Sequence, residues 1–181
     1  ALVGVAESGG RWGRLAIVGA LLHAWNHGLF KSLFFFGVGS VVHATHSREM
    51  SWMGGLWRAM PWTAFLFAFG SAAISALPPL NGFVSEWLIY LGLFDSAATQ
   101  GSIAWWTVPA AIALGITGGL VLAAFVKASA VVFLGAARTQ ASAGAHECGW
   151  WMRAPMVSLA ALCLVIALGP MAIWRFLGQA F

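Results

Sequence analysis

Apolar residues run along this sequence in four long blocks, Leu15–Ala44, Trp62–Phe94, Trp105–Gly135 and Met156–Leu177. Each reaches the ~20 residues that carry a helix across a bilayer. The pattern predicts an all-α integral membrane protein, with four transmembrane helices in a single membrane domain over residues 1–181. The intervening stretches, His46–Pro61, Asp95–Ala104 and Ala136–Pro155, hold most of the turn and charge signals and are too short for a soluble domain.

The second block is expected to be broken at Pro78-Pro79, within Leu77-Pro78-Pro79-Leu80-Asn81-Gly82. Proline removes a helical N–H donor, collides with the preceding turn and biases the residue before it away from the helix. Roughly 16 residues precede the cut and roughly 12 follow it, so the second piece is too short to span at ~1.5 Å per residue. Unpaired backbone is costly in lipid, so such a cut needs protein or a watery cavity around it. It marks either a place for ions or polar ligands, as discontinuous transporter helices do, or a structural kink.

Composition excludes a water-soluble fold. Hydrophobic residues make up 61% of the chain and charged residues 8%, against ~25% charged in an average soluble domain. Too few polar side chains remain to clothe a globule. Nine of the eleven tryptophans (Trp12, Trp52, Trp57, Trp62, Trp105, Trp106, Trp150, Trp151 and Trp174) sit at or just beyond the block ends, as interfacial anchors do. Only Trp25 and Trp87 fall well inside. The net charge of +4 comes from arginines and lysines scattered singly, which gives no basic stripe for nucleic acid. Arg48, Arg58, Arg138 and Arg153 flank the first and third loops, with Arg11, Arg14 and Arg175 on the opposite face. The positive-inside rule therefore tilts those two loops toward the cytoplasm. Cys148 and Cys163 indicate neither a disulfide framework nor a cysteine metal site. The chain opens on Ala1 without a signal-peptide pattern and reads as part of a longer protein.

Ionisable groups inside membrane spans cost about 2.5 kcal/mol or more each and need a compensating role or partner. His23, His27 and Lys31 recur every four residues on the first helix, within one stripe about 80° wide, with Asn26 beside it. Groups that both give and accept a proton, stacked ~6 Å apart, suit a hydrogen-bonded proton wire completed by waters. The alternative is that the histidines satisfy bundle hydrogen bonds and Lys31 snorkels; three groups in register favour the wire. Glu86 falls in the first turns after the break, next to Ser85 and Trp87. The helix dipole favours a carboxylate there while burial favours the acid, so its protonation is switchable. It also suits neutralising a neighbouring lysine. Lys127 lies about eight residues, ~12 Å, from the end of the third helix, where snorkelling and function are equally open. In water a lysine and a glutamate differ by roughly six pKa units. Burial closes that gap, which makes proton exchange between Lys31 or Lys127 and Glu86 feasible. His23-Ala24-Trp25-Asn26-His27 has zinc-like spacing but lacks the metalloprotease glutamate, so no metal is expected. Gly115 to Gly119 matches a small-residue packing pattern, His43 and His46 suit an interface, and Pro170 is expected to bend the fourth helix.

The run from His23-Ala24-Trp25-Asn26-His27 through Lys31 to Gly37, followed by Met53-Gly54-Gly55-Leu56, Met60-Pro61 and Ser75 to Trp87, resembles the antiporter-like membrane subunits of complex I and its relatives. Ala124-Phe125-Val126-Lys127, Phe133 to Arg138 and the His146-Glu147 to Met156 linker look most like the hydrogenase-4 and formate hydrogenlyase branch. The likeness covers essentially the whole chain but only the C-terminal part of a longer family member, which carries two inverted five-helix repeats. It implies proton translocation driven by redox chemistry in a peripheral arm, by a subunit that holds no redox cofactor and works among other membrane subunits in the lipid bilayer of a bacterial or archaeal cell. On that resemblance His23, His27 and Lys31 match the family's central relay and Glu86 its protonatable residue on the second broken helix, where some relatives carry lysine. The first repeat's glutamate and lysine pair is absent here. Two other functions stay open: a cation/proton antiporter subunit without a redox partner, and a haem-binding electron carrier using His23 or His27.

Overall fold

The computed structural model describes residues 11–99 and 104–169. The far end of the fourth block, with Pro170, Trp174 and Arg175, lies outside the described residues. Among the described residues every regular element is helical. Helix α1 covers Arg11–Thr45, α2 Leu56–Ala59, α3 Pro61–Ile74, α4 Asn81–Thr99, α5 Ala104–Phe133, α6 Gln140–Ala143 and α7 Trp150–Leu168, with a 3-10 turn at Met50–Trp52.

Helix α1 has no proline and carries apolar residues on every side, which suits burial within a bundle or lipid. It is the hub, with α3, α4 and α7 packed around it, while α5 lies outside against α3 and α4. Small residues let α1 and α4 approach closely: Gly92 faces Ala16, and Gly19 faces Leu88 and Ile89. Helices α1, α5 and α7 contain stretches long and apolar enough to cross a membrane, and α3 is a shorter apolar helix. The second block is thus two helices, α3 and α4, as the proline pair predicts.

Helix α4 runs 19 residues, not the 12 or so expected after the cut. An apolar block ends where polar residues begin, but a helix needs a breaker to stop. Asp95, Ser96, Ala97 and Ala98 contain neither glycine nor proline, so the helix continues past its apolar part. At the break, Ala76 has φ +51° and Pro78-Pro79 is a cis bond. Leu77 N–H reaches back to Ala72 and Leu80 N–H to Leu77, so these amides stay paired. A Cβ on Gly82 would overlap the Ala73 carbonyl oxygen. Only glycine lets the first turn of α4 pass so near the last turn of α3.

The first and third loops form one cap at the end of the bundle. Gly55 N–H bonds to Leu134 O at 3.0 Å, Ser142 Oγ donates to Gly54 O at 2.8 Å and Thr139 Oγ1 to Trp52 O at 3.0 Å. Beneath the cap Phe34, Phe67, Phe125 and Phe133 interlock, with ring centroids 4.4–5.3 Å apart. Trp52, Trp57, Trp62, Trp105, Trp106, Trp150 and Trp151 are all exposed at helix ends, as an aromatic belt requires.

Candidate functional site

The break is held against the middle of α1 by polar groups. Asn26, fully buried, donates from Nδ2 to the Asn81 carbonyl at 2.8 Å, where α4 begins. One turn earlier on α1, His23 Nδ1 lies 3.1 Å from Ser85 Oγ. Ser85 Oγ in turn donates to Gly82 O at 2.9 Å, with Asn81 O at 3.4 Å. A hydroxyl has a single proton. With that proton on the Gly82 carbonyl, His23 must supply Nδ1–H to Ser85, which leaves Nε2 as an acceptor.

The three basic residues of α1 do not share one environment. His23 is half-buried, whereas His27 and Lys31 are exposed on the surface of the described residues. The four-residue spacing explains this divergence, because it overshoots a 3.6-residue turn and drifts about 40° at each step. Measured from the centre of the buried face, formed by Leu22, Asn26, Phe30, Leu33 and Gly37, His23 is displaced by about 60°, His27 by about 100° and Lys31 by about 140°. His27 keeps one intrahelical contact, an edge-on approach to Phe30 at 5.5 Å between centroids.

Glu86 is half-buried and stands about 100° around α4 from Ser85, so it faces α5 rather than α1. It lines a cleft of about 370 Å³ together with Ser75, Trp87, Tyr90, Gly115 and Gly118. Lys127 is exposed on α5. It lies about 130° from the face of that helix carrying Leu122, Val126 and Ser129, and is not among the residues lining the cleft. The structure therefore brings His23 and Glu86 onto adjoining sides of the same half-helix turn, and places His27, Lys31 and Lys127 on outer faces. Ser85, which the sequence marks only as a neighbour of Glu86, is the residue that ties His23 to the first turn of α4. No group of three or more potential metal ligands occurs among the described residues.

Comparison with known proteins places the chain in a family. Residues 3–112 match the family described as NADH:quinone oxidoreductase/Mrp antiporter, transmembrane. Hydrogenase-4 component B of Escherichia coli is 42% identical over 155 residues, covering 85% of this chain and 23% of that protein. Formate hydrogenlyase subunit 3 of the same organism is 39% identical over 152 residues, covering 83% of this chain and 25% of that protein. The chain thus spans about a quarter of the length of these relatives. Among solved structures, that of the Mrp complex from a Dietzia species aligns over 92% of this chain and 37% of the matched chain, with a TM-score of 0.76 at 17% identity. That likeness establishes the fold.

Proposed function

Because the chain belongs to the family of NADH:quinone oxidoreductase and Mrp antiporter transmembrane proteins, we propose that it is a proton-translocating, non-redox part of a hydrogenase-type or complex I-like membrane complex. The observation that carries this reading is the hydrogen bond from His23 to Ser85, which joins the ionisable stripe of α1 to the half-helix bearing Glu86. A proton taken up at His23 Nε2 allows Nδ1 to release its own to Ser85 Oγ. Ser85 turns its hydroxyl from the Gly82 carbonyl and passes a proton toward Glu86 through water. Lys31 and Lys127 stand on outer faces away from Glu86, so in this scheme their charge alternates with that of Glu86 without direct proton transfer between them. An ammonium facing lipid costs about 2.5–3.5 kcal/mol, so in the working protein a polar surface covers the side of α1 that bears His27 and Lys31.

The partners in this reading are other membrane subunits and a peripheral redox arm, and the setting is a bacterial or archaeal cytoplasmic membrane. Support comes from the relatives, which are named as components of hydrogenase-4 and formate hydrogenlyase. The test uses the full-length protein in its complex, in sealed vesicles. Lys31→Ala and Glu86→Gln are each expected to lower proton translocation by about a hundredfold, the low end for loss of an acid–base group, with assembly intact. Normal pumping by both variants contradicts the proposal.

A second reading, a cation/proton antiporter subunit without a redox partner, is favoured by the fold it shares with the Mrp complex. Copurification separates the two: an arm carrying iron–sulfur and nickel centres supports the first, and small antiporter subunits alone support the second.

A further inference from the structure

Away from the break, a groove of about 330 Å³ lies on the outer surface at the start of α3, lined by Pro61, Trp62 and Phe65. All three belong to one side of one helix, so the groove is too narrow to seat a second helix ~10–12 Å across and fits a slender, flexible apolar chain. Helix α2 ends directly before it. Leu56 and Met60 are fully buried, which anchors α2 and turns Trp57 and Arg58 outward, where both are exposed. The corner is tied down: Gly55 holds a left-handed φ of +68° and its N–H bonds to Leu134 O at the end of α5. Arg58 lies three residues before Pro61, at most ~11 Å along the chain. Trp57 and Trp62 flank it and are exposed, which sets this corner at the level of lipid headgroups.

The charge of Arg58 is unmet by a carboxylate among the described residues. The two capping loops and the helix turns beside them carry Arg48, Arg58, Arg138 and Arg153 against Glu49 and Glu147. Glu147 accepts from Trp62 N–H at 2.9 Å and from Thr63 Oγ1, while Glu49 accepts from Ser51 Oγ at 2.9 Å. Because Glu147 already occupies the first amides of α3, an anion at this corner is held by the Arg58 side chain and not by the helix N-terminus.

We propose that the α2–α3 corner is a binding site for an anionic phospholipid. The Arg58 guanidinium pairs with the lipid phosphate, the geometry its planar fork suits best, and one acyl chain descends in the groove over Pro61, Trp62 and Phe65. The excess of arginine over glutamate in the surrounding loops selects a lipid of net negative charge over a zwitterionic one. The site stands whether or not the complex moves protons.

The test uses the full-length complex in vesicles of phosphatidylcholine containing a trace of phosphatidylglycerol with a photoactivatable acyl chain. Crosslinks, mapped by peptide mass spectrometry, are expected at residues 61–65. Excess unlabelled phosphatidylglycerol is expected to suppress them and excess phosphatidylcholine to leave them. Arg58→Ala is expected to lower the yield about fivefold, the effect of one basic residue at an anionic surface, with Arg58→Lys restoring most of it and Arg48→Ala changing it little. Equal suppression by both lipids, an unchanged yield in Arg58→Ala, or no crosslink at residues 61–65 because another subunit covers the groove overturns the site. The competition is run on the unsubstituted protein, so it decides the matter even where a variant fails to assemble.

Discussion

Ser85 has one hydroxyl proton and three neighbours around its oxygen: His23 Nδ1, Gly82 O and Asn81 O. Rotation of that single O–H is the smallest movement that connects or disconnects the two polar sides of α4. Ser85→Ala removes the bridge and leaves Nδ1 of His23 without its partner. It is expected to lower proton translocation about tenfold while costing about 1 kcal/mol of stability, the ordinary worth of one hydrogen bond. Ser85→Thr keeps the hydroxyl and is expected to restore pumping in the same vesicle assay. Equal pumping by the alanine and threonine variants would remove Ser85 from the path. Nothing in the sequence singles this serine out. Histidines and a glutamate announce themselves in an apolar span by the cost of burying them, but a serine is cheap enough to occur there for many reasons. Its role emerges only when residue 23 of one helix and residue 85 of another lie opposite each other.

At the scale of elements, the half-helix α3 owes its start to a residue far away in sequence. Pro61 occupies its first turn and lacks an N–H, and Met60 before it offers no side-chain oxygen. Glu147 from the third loop supplies the cap instead. Its carboxylate accepts from Trp62 N–H at 2.9 Å, Thr63 N–H at 3.4 Å and Thr63 Oγ1 at 2.5 Å. The negative charge also faces the positive end of the helix dipole. Glu147→Gln keeps one acceptor oxygen but loses the charge. It is expected to cost about 1–2 kcal/mol, read as a lower thermal midpoint of the solubilised complex. An unchanged midpoint would show that the cap contributes nothing. The break itself was legible, because two prolines in an apolar run admit few other outcomes. The length of α4 was not legible, since hydropathy measures how far a segment is apolar and not where its backbone bonds stop.

Across the whole molecule, periodicity correctly set His23, His27 and Lys31 at regular angles to one another but did not say which side of α1 meets the bundle. Apolar residues surround that helix, so lipid-facing and core-facing sides look alike in sequence. The packing of α3, α4 and α7 decides the matter, placing Asn26 and Phe30 inside and turning Lys31 outward. The two faces of α4 then divide the proposed path, with His23 and Ser85 on the α1 side and Glu86 and Tyr90 on the α5 side. In the proposed path Glu86 is the carboxyl that passes a proton between them. Infrared difference spectroscopy of the full-length complex, recorded between resting and turning-over states, tests that claim most directly. The account predicts a change in the carbonyl stretch of a protonated carboxylic acid that disappears in Glu86→Gln together with proton translocation. A carboxyl signal and pumping that both persist in Glu86→Gln would contradict it.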